Sequence, residues 1–194
     1  MKRLIIALCL TISLAFGSFG VGWSGDFEKG MEAYKKADYA NAIAVWTLLA
    51  EDGHAKAQYF LGSIYHKAKG VTQDYKPAVK WYTLSAEQGN AVAQYNLGIM
   101  YSFGLGVVPD YQTALKWYNL SAEQGNAFAQ YNLGRLYYLG NGIMEDIICA
   151  HMWVNLASSN GFEMAENLRG LLTELMTPSQ IQEAQSLIVK CQES

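Results

Sequence analysis

Residues 81–98 read WYTLSAEQGNAVAQYNLG, and residues 117–134 read WYNLSAEQGNAFAQYNLG. Only two positions differ, Thr83 against Asn119 and Val92 against Phe128, at an offset of 36 residues. The same step aligns Asp38, Asp74, Asp110 and Asp146, then Ala42, Ala78, Ala114 and Ala150, then Gly53, Gly89, Gly125 and Gly161. Gly62, Gly98, Gly134 and Gly170 form a further unbroken column, whereas Tyr65, Tyr101 and Tyr137 give way to Thr173. A self-match at fixed spacing marks a stacked repeat architecture, in which terminal copies diverge because one face has no neighbour.

One copy can be read from Asp110. In YQTALKWYNLSAEQ, Ala114, Leu115, Trp117, Tyr118 and Ser121 recur at helical spacing. Asp110 is therefore the expected N-cap, with Gly125 just past the end. Asn126 opens a second helix, AFAQYNLGRLYYLG, which carries Ala129, Leu133, Leu136 and Tyr137 on one face and stops at Gly140 and Gly142. Gly98 and Gly134 lie inside this second helix type, where Gly costs roughly 1 kcal/mol against Ala. Close approach of a neighbouring helix, with no side chain between, is the expected compensation. Such a pair cannot bury its apolar faces alone, so the chain is expected to be an all-α superhelical solenoid of helix-turn-helix repeats.

The 194 residues are 51% hydrophobic and 16% charged, with a net charge of −3 and a pI near 5.6. This balance leaves no basic footprint for nucleic acid, and no Lys/Arg cluster follows a helix face. The opening MKRLIIALCLTISLAFGSFGVG pairs Lys2 and Arg3 with an apolar run from Leu4 to about Phe16 and then small residues, the layout of a secretory leader. Residues 1–22 are expected to be removed by cleavage between Gly17 and Ser24, leaving a periplasmic or secreted protein with no membrane insertion. The run is short of the roughly 20 residues a spanning anchor needs. Leu8 stands where lipidation of Cys9 would require a small residue.

A capping helix is expected over 26–37, four helix pairs over 38–176, and a closing helix over 177–194, with Ile181, Ala184, Leu187 and Ile188 on its apolar face. Cys149 lies near the start of one helix and Cys191 near the end of the last. Their expected offset is on the order of 10 Å, so both are expected to remain thiols.

The runs AQYNLGIMY at 93–101 and AQYNLGRLY at 129–137, the GLGVVPD loop at 104–110, and ALKWYNLSA at 114–122 resemble the Sel-one-like repeat family, relatives of tetratricopeptide repeats. The resemblance spans nearly all of the chain after the leader. It implies an α/α superhelix acting as a protein-binding scaffold, often in bacterial envelopes or membrane-associated complexes. Three departures stand out. Residues 67–70 read KAKG in place of G-x-G, so the first loop is expected to sit differently. Ile147 replaces the usual Tyr after Asp146. The Cys pairs of the cysteine-rich secreted branch, linked to peptidoglycan or β-lactam chemistry, are absent, although a cell-wall hydrolase or β-lactam-binding protein remains the alternative reading.

The same resemblance implies that the L-G-x-x-Y helices line the concave face, where an Asn before the Leu hydrogen-bonds a bound peptide. Asn96 and Asn132 hold that place, and Phe60 stands there in the first copy. Tyr59, Tyr95 and Tyr131 precede them, and Ile99, Phe103, Arg135 and Tyr138 continue the face. These nine-odd positions, from Tyr59 to Tyr138, are the candidate contacts for a protein or peptide partner. An inter-repeat ladder would use the same Tyr and Asn columns. Trp81, Trp117 and Trp153, with Val45 in the first copy, are expected in the core.

The repeated Asp residues are expected as caps rather than catalytic acids. His54, His66 and His151 have no second ligand at i+3 or i+4, and no G-x-S-x-G, P-loop or paired-carboxylate arrangement occurs. No catalytic residue, cofactor or metal is expected. Near-identical copies suit repeated recognition better than one asymmetric catalytic centre.

Overall fold

Each run of helical periodicity is closed by a polar cap and a glycine, and the chain accordingly folds as helix after helix. The computed structural model describes residues 19–193, with side-chain surroundings from Ser24 to Ile188. The order is α1 (Phe19–Lys35), α2 (Tyr39–Glu51), α3 (Ala55–His66), α4 (Tyr75–Glu87), α5 (Ala91–Phe103), α6 (Tyr111–Glu123), α7 (Ala127–Leu139), α8 (Ile147–Ser159), α9 (Met164–Leu175) and α10 (Pro178–Glu193). No strand occurs among the described residues, and the fold is an all-α repeat solenoid. Residues 1–18 of the expected leader lie outside the described residues. So does the Cys191 side chain, and with it the expectation about its pairing with Cys149.

The caps follow the repeat. Asp38, Asp74, Asp110 and Asp146 each accept a hydrogen bond from a first-turn backbone N–H of α2, α4, α6 and α8. His54, Asn90 and Asn126 do the same for α3, α5 and α7. In the last copy Phe162 stands where that cap belongs, and α9 starts without a side-chain cap. Gly53, Gly89, Gly125 and Gly161 follow the Asp-capped helices at φ between 83° and 92°, a conformation that carries no steric penalty only for glycine.

Two expectations are corrected here. The opening helix begins at Phe19 rather than Asp26, and it ends at Lys35 because Ala37 turns the chain at φ 60°. The first loop also sits like the others despite its KAKG sequence. Ala68 takes the left-handed conformation at φ 54° that Gly104 and Gly140 adopt at 68° and 65°. The Asp74 N–H donates to the Tyr65 carbonyl as Asp110 does to Tyr101 and Asp146 to Tyr137. The loop is held by its ends and by Gly70, whose Cα packs on Tyr39 as Gly106 packs on Tyr75 and Gly142 on Tyr111.

The core is set by the column one residue beyond the tryptophans. Trp46, Tyr82, Tyr118 and Val154 are at most 2% exposed, while Trp81 is 8% exposed and Trp117 and Trp153 are only half buried. The tryptophan column is thus peripheral core, and the Tyr beside it carries the packing. A Cβ on Gly62 would fall 2.6 Å from Tyr82 Cδ1, and one on Gly98 would fall 2.5 Å from Tyr118 Cδ1. At Gly134 the neighbour is Val154, with Cγ2 at 2.4 Å and the Ala150 carbonyl at 3.0 Å. The glycines therefore allow the expected close approach of the following helix, through a Tyr ring at Gly62 and Gly98 and through Val154 and the Ala150 carbonyl at Gly134. The tightest pairs are α3–α4, α5–α6 and α7–α8, so the physical hairpin begins with the L-G helix rather than with the Asp-capped one. At Gly170 nothing lies within 4 Å of a Cβ position.

Polar side chains lock the hairpins in register. The buried Gln58, Gln94 and Gln130 amides donate to the carbonyls of Ala50, Ala86 and Ala122, at 3.0–3.1 Å. Their carbonyl oxygens accept from Gln88, Gln124 and Asn160, at 2.7–2.9 Å. Ser85 and Ser121, fully buried, donate to Ala55 and Ala91 carbonyls at 2.7 Å. Burial of these groups is tolerated because each finds a partner.

Gly98→Ala is expected to destabilise the fold by about 1–3 kcal/mol through overpacking against Tyr118, despite alanine's helix preference. Gly170→Ala, with open space, should instead stabilise it by up to roughly 1 kcal/mol. Urea unfolding midpoints of the two variants check the opposite signs.

Candidate functional site

The L-G helices α3, α5 and α7, and α9 with Arg169 in place of the Leu, present one side chain per turn at equivalent positions. On α5 the series is Val92, Asn96, Ile99 and Phe103; on α7 it is Phe128, Asn132, Arg135 and Leu139; on α9 it is Met164, Leu168, Leu171 and Leu175. The spacing of 4, 3 and 4 keeps each series on one helix face. Apolar members are unusually open: Phe103 is 67% exposed, Phe128 51%, Leu139 47% and Met164 60%. Arg135 is exposed, and no ion-pair partner for it occurs among the described residues. Open apolar side chains recurring at equivalent positions are a candidate interaction surface.

Among the candidate contacts, Asn96, Ile99, Phe103, Asn132 and Arg135 share this stripe. Tyr59, Tyr95 and Tyr131 do not: they are half buried between repeats, with ring centroids 6.0 Å from Tyr82, 6.2 Å from Tyr118 and 5.0 Å from Phe162, respectively. Tyr138 is half buried against the α8–α9 core. These four pack toward neighbouring helices, each one residue off the exposed spacing, and Ile99 is likewise partly buried against the core. Val92, Phe128 and Leu139, and all of the α9 series, were missed. The signal was present in the step from Phe103 to Leu139 to Leu175, but the last copy's divergent sequence hides it.

The stripe's polar groups are partly engaged. The Asn96 amide donates to the Val92 carbonyl of its own helix at 2.7 Å. Burial pushes the Tyr95 phenol up. The Arg135 guanidinium lies 6.0 Å from the Tyr131 ring centroid. Phe103, Tyr111, Asn132, Arg135 and Leu139 border a notch of about 80 Å³ between α5 and α7. That volume takes one side chain, well below the several hundred Å³ of small-molecule sites.

A second, asymmetric cluster lies between α8, α9 and α10. His151 is 5% exposed, with Nε2 3.2 Å from Thr173 Oγ1. Thr173 donates its single hydroxyl proton to the Arg169 carbonyl at 2.8 Å, so the imidazole must donate to Thr173 through Nε2. Nδ1 is then a bare, buried acceptor with no hydrogen-bond partner. Arg169 pairs with Glu166 and donates to Asn155. Arg169 occupies the column of Leu61, Leu97 and Leu133, which are fully buried. Among the described residues no three His, Cys, Asp or Glu side chains gather as a metal site, and no helix is long and apolar enough to cross a membrane.

Open helical hairpins stacked at a 36-residue step, bearing a repeated surface and no metal cluster among the described residues, define a helical repeat protein. The Sel1 repeat model matches residues 55–90, 91–126 and 127–162, more than half of the chain, and the chain belongs to the Sel1 repeat family. The matched units coincide with the tight hairpins. A crystal structure of a Sel1 repeat protein from Oxalobacter formigenes is 34% identical with a TM-score of 0.70, over 75% of this chain and 58% of that one. The crystal structure of a protective antigen of uropathogenic Escherichia coli strains, displaying an SLR fold, is 29% identical with a TM-score of 0.54, over 88% of this chain and 45% of that one. The chain thus spans about half of each of these two structures. A search of curated proteins finds no significant match. Sel1 repeats generally mediate protein–protein interaction, and their proteins are typically non-enzymatic scaffolds.

Burial holds the imidazoles of His54, His66 and His151 below their ordinary range. Folded imidazoles therefore stay neutral where unfolded ones, at about 6.5, gain protons. Their contribution to stability is complete above about pH 6.5 and is lost as pH falls through the folded values. The urea midpoint should drop between pH 7.5 and pH 5.5, and His151→Gln should reduce that drop.

Proposed function

We propose that this chain is an exported scaffold of the bacterial envelope that holds a segment or helix of another envelope protein against the stripe on α5, α7 and α9. The observation that carries this reading is the row of open apolar side chains at equivalent positions, Phe103, Leu139 and Leu175, with Arg135 among them and no ion-pair partner for it among the described residues. Exposing such groups to water costs about 25 cal/mol per Å² of apolar surface that a partner would cover. Export is supported by the leader-like layout of residues 1–22, and protein binding by membership of the Sel1 family. The cell-wall or β-lactam alternative finds no support in the His151 cluster.

A photo-crosslinking residue at Phe103 or Leu139, introduced in cells, should capture a discrete envelope protein. Leu139→Asp should lower that capture at least tenfold while leaving the thermal melt unchanged. Leu48→Asp, an equally open site on α2, should leave capture intact. Capture lost in the Leu48 variant and kept in the Leu139 variant would move the site to the Asp-capped helices.

A further inference from the structure

We infer that the occupant of this stripe is an amphipathic α-helix carrying a carboxylate opposite Arg135, not an extended peptide; this rests on the stripe being the recognition face. The stripe is made by helices, whose backbone N–H and C=O groups are already used within each helix. It therefore offers no strand edge. The Asn96 amide already donates one of its two N–H groups to the Val92 carbonyl at 2.7 Å. An extended segment laid across such a face would bury most of its backbone donors and acceptors without partners. A helix brings its backbone bonds with it and needs only side-chain contacts.

The dimensions agree. The exposed series on each helix spans 11 residues, about 16 Å along its axis, which is three turns of an opposing helix. The notch beside Arg135, about 80 Å³, accepts one apolar anchor from it. Charge then selects the partner. The segments of α5 and α7 contain no Asp or Glu, and Arg135 is exposed on α7; on α9 Glu166 is paired with Arg169, and the exposed Glu174 lies one residue off the apolar series. Facing α5 and α7, a basic residue finds no carboxylate, whereas a Glu or Asp flanking the apolar anchor meets the Arg135 guanidinium, a charge-assisted contact.

Two synthetic 18-residue peptides of identical Leu, Ala, Gln and Glu composition test this against the full chain by fluorescence anisotropy. One places Leu at i, i+3, i+4 and i+7 with Glu alongside; the other alternates Leu with polar residues. The helical-pattern peptide should bind at least tenfold more tightly. Its binding should fall at least tenfold with Leu139→Asp, and with Arg135→Glu, the latter being restored when Lys replaces Glu in the peptide. Phe103→Asp provides a second face variant should Leu139→Asp melt early. Tighter binding of the alternating peptide, abolished by Leu139→Asp, would overturn the helix while leaving the recognition face in place. Binding of neither peptide, or binding indifferent to both face variants, would overturn the helix and the face together. Self-association in sedimentation velocity that Leu139→Asp removes would make a second copy the occupant and overturn the inference.

Discussion

The contact between a glycine in one helix and an aromatic ring in the next organises this molecule. Tyr82 and Tyr118 are at most 2% exposed because Gly62 and Gly98 have no side chain to hold them off. The ring reaches the helix backbone, and the two axes draw together. A glycine in a helix interior weakens that helix by roughly 1 kcal/mol, and the burial of a Tyr ring more than offsets this. The same burial pushes both phenols up, well above the ordinary range for tyrosine. They remain neutral donors and acceptors beside His66 and Ser102.

Apolar contact alone would let stacked helices slide. The Gln58, Gln94 and Gln130 amides prevent that, because each must satisfy both its donor and its acceptor in a dry interior. Displacement by one residue would leave several buried groups unpaired, so register follows from hydrogen-bond saturation rather than from hydrophobic area. Within the series on α5, α7 and α9, Phe128 packs between Tyr95 and Phe162, and Ile99 and Leu168 lean on the core, while Phe103, Leu139 and Leu175 stay open. These open side chains are therefore available for recognition.

Much of the fold was legible because it is written in caps and glycines that act locally. Asp110 and Asn126 announce helix starts by chemistry that depends only on neighbouring N–H groups. Inter-repeat packing was less legible. Trp and Tyr stand side by side at 117 and 118, and a difference of 100° in helix rotation decides which is core. The first loop was misread because Ala68 accepts a left-handed conformation that favours glycine, held there by bonds at either end. At the proposed face, the positions of Asn96, Ile99, Phe103, Asn132 and Arg135 on one helix side could be read from spacing alone. Tyr95 and Tyr131 were not separable from them, since half burial between repeats leaves no mark on residue type. The α9 series escaped because its Leu-rich sequence no longer matches the Asn-containing copies.

The glutamine ladder has a consequence for how such a chain changes length. Every rung donates to the preceding unit and accepts from within its own at the same 30-residue separation. An in-frame duplication or loss of one whole unit, such as residues 91–126, would reconnect the same pairs at the junction. The surface would grow or shrink by one helix without any new seam having to evolve, so the reach of the molecule is adjustable in increments while its packing stays constant.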